Sequence, residues 1–284
     1  MPPYNMFGLE GTNYEKSRVV ILPVPYDATT TYKAGARDGP HAIITASRQV
    51  ELFNEEVGKE ISKIGIFTLD ELAPNLNSPE ENAKWIEKEV GLILEEGKLP
   101  VLLGGDHSIS IGSIRAIANK YKKDLSVLHF DAHSDSREEF MGSKYNHACV
   151  MARAREVCDS CYSVGVRSTE EEGYKRHRSD TIYRKEMHNM KTQEVVDLLV
   201  RNTKKNVYIT LDFDVLDTGI MPSVGTPEPD GLSFYELISI IKGVLAKKRL
   251  VGADFVELCP IPGMIAPDFL AAKLIYMTLG YGVK

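Results

Sequence analysis

Asp131, His133 and Asp135 fall at alternate positions in the stretch Leu128 to Ser136, LHFDAHSDS. Alternate residues of an extended strand share one face. Ionisable groups stacked on one face of a buried strand are costly unless something compensates them. Asp212 and Asp214 repeat the spacing in VYITLDFDVLD, with Asp217 following. Neither motif contains a Lys or Arg, so the compensation points to metal ions. Asp106 and His107 follow the apolar run LPVLLGG, and Asp254 and Glu257 lie near the end of LVGADFVELCP. Asp131, Asp135, Asp212 and Asp214 bring negative charge that two divalent ions would balance, while His107 and His133 bring neutral nitrogens. Carboxylate mixed with imidazole suits Mn²⁺ better than the sulfur-rich sets of structural zinc. Two such ions roughly 3.5–4 Å apart turn water into hydroxide near neutral pH.

A lone D-x-H or D-x-D is more often a helix cap than a ligand pair. Asp106 reads equally well as a cap or an orienting group. His129 shares the register of Asp131 but sits deeper in the strand, and reads as a core or supporting residue. Capping does not explain acids and histidines at the ends of four separate apolar runs.

Those runs require elements that position them. VVILPVP (19–25), KIGIFTL (63–69), LPVLLGG (99–105), SVLHFDAH (126–133), CYSVGVRS (161–168), TIYRKE (181–186), VYITLDFDV (207–215) and LVGADFVELC (250–259) read as strands. Several are apolar on both faces, as a covered parallel sheet demands. Helices are expected at SPEENAKWIEKEVGLILEEG (78–97), SIGSIRAIANKY, ACVMARAREV, TQEVVDLLVRN, SFYELISIIKGVLAKK and DFLAAKLIYMTL. Ser78 reads as an N-cap with Glu81 closing a capping box, and Gly97 as the stop. Alternating β and α elements predict one α/β domain over residues 1–284 with a mainly parallel sheet. Periodicity leaves an open three-layer sheet and a closed barrel both possible; either puts the site at the carboxyl ends of the strands.

The formal net charge is −6, with no basic stripe, which argues against a nucleic-acid partner. No apolar run is long enough to span a bilayer, and the N-terminus lacks the regions of a signal peptide. A cytoplasmic protein with no membrane partner is expected. The cysteines are Cys149, Cys158, Cys161 and Cys259. Cys158 and Cys161 have C-x-x-C spacing without a second pair or a thioredoxin-like context, and read as free, partly buried thiols.

GGDHS (104–108), DAHSD (131–135) and LDFDVLD (211–217), in this order, resemble the ureohydrolases, the family that includes arginase and agmatinase. GADFVELCP (252–260) and PVPYDATTTYKAGARDGPHAI (23–43) extend the resemblance over nearly the whole chain. It implies a three-layer α/β/α sandwich with an eight-stranded, mainly parallel sheet rather than a barrel, and two Mn²⁺ per subunit. His107, Asp131, Asp135 and Asp212 would hold one ion, and Asp131, His133, Asp212 and Asp214 the other, with Asp131 and Asp212 bridging. Hydroxide between the ions, oriented also by Asp135, would attack a guanidinium carbon to give urea and an amine. Glu257 matches the carboxylate that binds the guanidinium, and His147 the loop histidine that passes a proton to the leaving amine. A homo-oligomer, trimer or hexamer, is implied. One departure is that Asp217 is followed by Thr218 where the family often has proline, so the local turn is expected to differ.

The loop SREEFMGSKYN (136–146) looks more like that of agmatinases than of arginases. Glu138 and Glu139 could attract the far ammonium of agmatine or simply face solvent. Agmatine is therefore the expected substrate, giving putrescine. Aminopropylagmatine and guanidinobutyrate are the alternatives, with arginine and then formiminoglutamate less favoured. From other classes, a single-zinc deacetylase-type amidohydrolase or a catalytically silent metal-binding protein would share the fold.

Overall fold

Val19 and Ile21 face one apolar cluster and Val20, Leu22 and Val24 face another, so the first strand is covered on both sides. This alternation in an all-apolar run dictates a sheet between two helical layers. In the computed structural model, residues 2–75 and 77–283 are described; Met1, Leu76 and Lys284, within the expected span 1–284, lie outside them. The strands are β1 (Val19–Val24), β2 (Phe53–Asn54), β3 (Lys59–Glu60), β4 (Ile66–Thr68), β5 (Leu99–Gly104), β6 (Leu125–Phe130), β7 (Cys161–Val166), β8 (Thr181–Tyr183), β9 (Asn206–Asp212) and β10 (Arg249–Val256). The helices are α1 (Gly39–Ser47), α2 (Pro79–Glu95), α3 (Ser110–Tyr121), α4 (Val150–Val157), α5 (Glu171–Arg176), α6 (Arg184–Met187), α7 (Thr192–Asn202), α8 (Phe234–Leu245) and α9 (Ala266–Gly282).

Eight strands form one sheet in the order β4-β1-β5-β10-β9-β6-β7-β8, and every pairing in it is parallel. β2 and β3 make a separate antiparallel pair. Helices α1, α7, α8 and α9 pack on one face and α2, α3 and α4 on the other. The sheet is thus open and sandwiched, which decides between the two architectures that periodicity leaves possible.

The chain reaches β5, jumps outward to β6, β7 and β8, then returns through β9 and β10 to fill the gap. The four strands whose ends carry acids and histidines, β5, β10, β9 and β6, are therefore consecutive neighbours in the centre. Ligand sites of open parallel sheets form where the connection order reverses in this way.

Several expectations need correction. TIYRKE is a strand only over Thr181–Tyr183; the Tyr183 amide donates to Glu186 Oε2 at 3.2 Å and the chain turns into α6. KIGIFTL is shortened because Ile61–Ile64 forms a 3-10 turn ended by Gly65 at φ +84. The capping box of α2 is half made: Ser78 Oγ accepts from the Glu81 amide at 3.1 Å, but the Glu81 carboxylate takes Lys84 at 2.9 Å. Gly97 does stop the helix, at φ +75, with the Lys98 amide donating back to Ile93.

Candidate metal centre

The parallel register lays a row of polar side chains across the sheet. Asp254 of β10 is paired with Thr210 of β9, Thr210 with His129 of β6, and His129 with Ser163 of β7. One step of the same face further on come Asp212, the last residue of β9, and Asp131, the first after β6. The acids thus sit on a buried polar floor.

His107 enters from the end of β5. The preceding Gly105 has no alternative, because a Cβ there would lie 1.9 Å from the Tyr26 carbonyl oxygen. His107 is almost fully buried, and its Nδ1 lies 3.0 Å from Asp131 Oδ2, 3.3 Å from Asp135 Oδ2 and 3.4 Å from Asp212 Oδ2. Its Nε2 lies 2.8 Å from Thr210 Oγ1, and that hydroxyl donates to Asp254 Oδ1 at 2.7 Å. A hydroxyl has one proton to give, so the Nε2–H must donate to Thr210. This assignment leaves Nδ1, a buried atom with no hydrogen-bond partner among the described residues, aimed at three carboxylates. Burial opposes a charge on the ring, yet Asp131, Asp135 and Asp212 push its pKa well above the ordinary histidine value. A positive centre belongs at that point, and a divalent cation with one nitrogen and several oxygen donors fits it.

The second histidine meets the same acids from the other side. His133 Nδ1 lies 2.8 Å from Asp214 Oδ2 and 3.5 Å from Asp131 Oδ1. Burial works against its charge, but Asp214 and Asp131 push its pKa up to about 12. Asp131 therefore turns Oδ2 to His107 and Oδ1 to His133, the disposition of a bridging carboxylate. Burial and the neighbouring Asp214 and Asp131 raise the Asp212 carboxyl well above the carboxylate range. Asp212 Oδ1 accepts from the Asp214 amide at 2.8 Å, while its Oδ2 faces His107. Asp214 in turn accepts from the Ala132 amide at 2.9 Å. Two potential ligand groups result, His107, His129, Asp131 and Asp135, and Asp131, His133 and Asp214. His129 keeps its supporting place: Nε2 lies 2.8 Å from Asp131 Oδ2 and Nδ1 3.0 Å from Ser163 Oγ.

Two site residues hold strained backbones, Asp135 at φ +45 and Glu257 at φ +67. Glu257 Oε1 accepts from the His107 amide at 2.7 Å, and the Glu257 amide donates to Gly105 O at 2.8 Å. Burial, then Asp106, raises the Glu257 carboxyl well above its usual range. His147 is half-buried; its amide and Nδ1 lie 3.0 and 3.2 Å from Thr29 Oγ1. Asp106, fully buried, fixes Thr29 through its amide at 2.8 Å and its hydroxyl at 3.0 Å. His107, Asp131, His133, Asp135, Asp212 and Asp214 are thus drawn together at the ends of the central strands, with Asp212 facing His107 but outside both ligand groups, while His147 stands in the 3-10 turn His147–Cys149.

Thr210, Asp254's partner, was signalled by its position two before Asp212 on the same strand face. Glu170 and Glu228 carried no such signal, since both lie in loops. Glu170 accepts from Ser134 and Ser136, the hydroxyls flanking Asp135, at 3.2 and 3.1 Å. Glu138 is spent on Arg153 and Arg176 at 2.9 and 2.7 Å. Asp217 organises the turn at the departure Thr218, accepting from the amides of Gly219 and Gly231 at 2.9 and 3.1 Å. The cysteines are free and buried; Cys158 Sγ and Cys161 Sγ donate to backbone carbonyls.

A model of the arginase family matches residues 17–280. The N(1)-aminopropylagmatine ureohydrolase of Thermus thermophilus is 38% identical over 276 residues, covering 97% of this chain and 94% of that protein. The protein of the same name from Synechocystis sp. is 35% identical over 282 residues, covering 95% and 90%. The agmatine ureohydrolase of Thermoplasma volcanium superposes with a TM-score of 0.90 at 30% identity, covering 99% of this chain and 94% of that one.

Proposed function

The chain belongs to the arginase family of ureohydrolases, and from that premise we propose a dinuclear manganese enzyme that releases urea from a guanidino amine. The observation that carries the reading is the buried His107 Nδ1 facing three carboxylate oxygens at 3.0, 3.3 and 3.4 Å. His107, Asp131, Asp135 and Asp212 would hold one Mn²⁺, and Asp131, His133, Asp212 and Asp214 would hold the other. Bound there, the cations supply a water nucleophile near neutral pH.

The side chains do the rest. Glu257 has Oε1 on the His107 amide, while its Oε2 lies near Gly225, where an added Cβ would already be in van der Waals contact at 3.7 Å. In this reading Oε2 takes a guanidinium N–H and orients the cation. Asp135 accepts a hydrogen bond from the attacking water. Water oxygen bonds to the guanidinium carbon, the bond to the alkylated nitrogen breaks, and the leaving amine must take a proton. His147, held at Nδ1 by Thr29, has Nε2 left to deliver it.

The two relatives named for aminopropylagmatine support that guanidino diamine as substrate. A cavity of about 290 Å³ that begins at Ser136 is lined by Glu138, Glu139, Glu170 and Glu172 against Arg137 and Arg176. With Glu138 neutralised, the surplus is acidic and suits a ligand with more than one ammonium. Agmatine is the second reading, supported by the Thermoplasma volcanium structure. We place the enzyme in the cytoplasm as a homo-oligomer, trimer or hexamer; no helix among the described residues is long and apolar enough to cross a membrane. Urea release with added Mn²⁺ on aminopropylagmatine, agmatine, guanidinobutyrate and arginine tests the reading. The highest kcat/KM is expected on aminopropylagmatine; no urea from any of them, or bound zinc at one per chain, overturns it.

A further inference from the structure

We infer that Glu228 is a positioning residue for His133, completing a carboxylate–histidine–metal arrangement at the second ion; the inference rests on the dinuclear reading above. The three histidines in contact with Asp131 differ in how their far nitrogens are satisfied. His107 Nε2 has Thr210 at 2.8 Å, and His129 Nδ1 has Ser163 at 3.0 Å. His133 commits Nδ1 to Asp214 and Asp131, and the carboxylate facing its Nε2 is Glu228, with Oε1 at 3.8 Å. A metal-ligating imidazole needs its other N–H donated to an acceptor, which fixes the tautomer and the ring plane. A small rotation of either side chain brings Glu228 into hydrogen-bond range of the Nε2–H.

Glu228 is a loop residue, so something must hold it in place. Arg167 does. Its guanidinium donates to Glu228 O at 2.9 Å, Pro229 O at 2.7 Å, Asp214 O at 2.6 Å and Gly165 O at 3.2 Å. One planar cation thus ties the loop that carries Glu228 to the ends of β7 and β9. These bonds all go to backbone carbonyls, so Arg167 fixes the height of the loop while the Glu228 carboxylate stays directed at His133. An ordinary solvated glutamate would have no such clamp beneath it.

The test is Mn²⁺ titration of wild type, Glu228→Ala and Glu228→Gln, with total metal by elemental analysis and spin coupling by electron paramagnetic resonance. Thermal melts of the metal-free proteins check that the fold is kept. Glu228→Ala is expected to weaken the second Mn²⁺ by about 10- to 100-fold while the first binds as in wild type. Glu228→Gln keeps an acceptor oxygen and should recover most of that loss. An unchanged isotherm in Glu228→Ala overturns the inference. So does a raised KM with an unchanged isotherm, which would make Glu228 a substrate contact. Wild type that binds a single ion overturns the dinuclear reading itself.

Discussion

The side chains of His107 and Thr210 are joined by a 2.8 Å hydrogen bond in which the imidazole Nε2 donates. Thr210 can accept because its own proton goes to Asp254, whose other oxygen takes the hydroxyl of Tyr208. This chain fixes which nitrogen of His107 is left for a cation. Thr210→Val keeps the shape and removes the acceptor. Mn²⁺ affinity should fall about 10- to 100-fold, and the buried Nε2–H and Asp254 left behind should cost about 1–3 kcal/mol of stability. Mn²⁺ titration and denaturant unfolding read the two effects, and an unaltered affinity would show that the chain does not orient the ligand.

Asp131 is the acid that presents one oxygen to each histidine. Asp131→Ala should abolish urea production and lower bound Mn²⁺ below two per chain. Wild type should gain thermal stability on Mn²⁺ addition, by about 2.7 kcal/mol at a hundredfold excess over Kd, and the variant much less. Near-normal activity and metal content in the variant would rule out a bridging role.

Glu257 stands apart from the ligands but takes the His107 amide at 2.7 Å. Glu257→Gln preserves the size of the side chain and removes the charge that meets a guanidinium. Metal content should be mostly spared while kcat/KM falls about 10²- to 10³-fold, the scale of a lost oriented electrostatic contact. A variant that loses its metal instead would move Glu257 into the ligand set.

Spacing made the cluster of acids and histidines legible, although β6 ends at Phe130 and β9 at Asp212, short of the expected 126–133 and 207–215. His133 follows its strand and Asp214 lies in the 3-10 turn Phe213–Val215, so alternation itself reaches only as far as Asp131 and Asp212. The same rule marks Thr210, two residues before Asp212. It says nothing about register, and only the pairing of Asp254 with Thr210 and Thr210 with His129 reveals the polar row under the site. Glu138 illustrates the other gap. Its neighbours in sequence suggest an open acid, but Arg153 and Arg176 come from distant positions to neutralise it. The boundary of β8 escaped for a similar reason, since the turn at Tyr183 is made by the side chain of Glu186.

Glu170 is the acid beside Asp135 whose oxygens are held by serine hydroxyls rather than by an arginine. If it holds an ammonium of the substrate, Glu170→Gln should raise KM for aminopropylagmatine and agmatine about tenfold, roughly 1.4 kcal/mol, with little change in kcat. Guanidinobutyrate, which has no distal ammonium, should be unaffected. Equal loss on all three substrates would assign Glu170 to the support of Asp135.

Asp27 ties the loop that carries Thr29, and through Thr29 it reaches His147. Its nearly buried carboxylate accepts from the Gly35 amide at 2.9 Å and from Arg37 Nε at 2.6 Å. Burial alone would raise its pKa, but the hydrogen bonds from Arg37 and Gly35 outweigh it and hold the pKa below the ordinary value. A carboxyl depressed in the folded state contributes stability above its unfolded pKa, about 4, and loses it as pH falls through the lower folded value. Asp27→Asn should therefore be less stable than wild type by about 1–3 kcal/mol at neutral pH. Below about pH 4 the unfolded-state carboxyl takes up its proton first, and as pH falls on through the lower folded value the gap between the two proteins should close. Denaturant unfolding of both at stepwise lower pH measures that gap directly. A gap that stays constant into acid would mean that the charge on Asp27 contributes nothing and that the loop is held by shape alone.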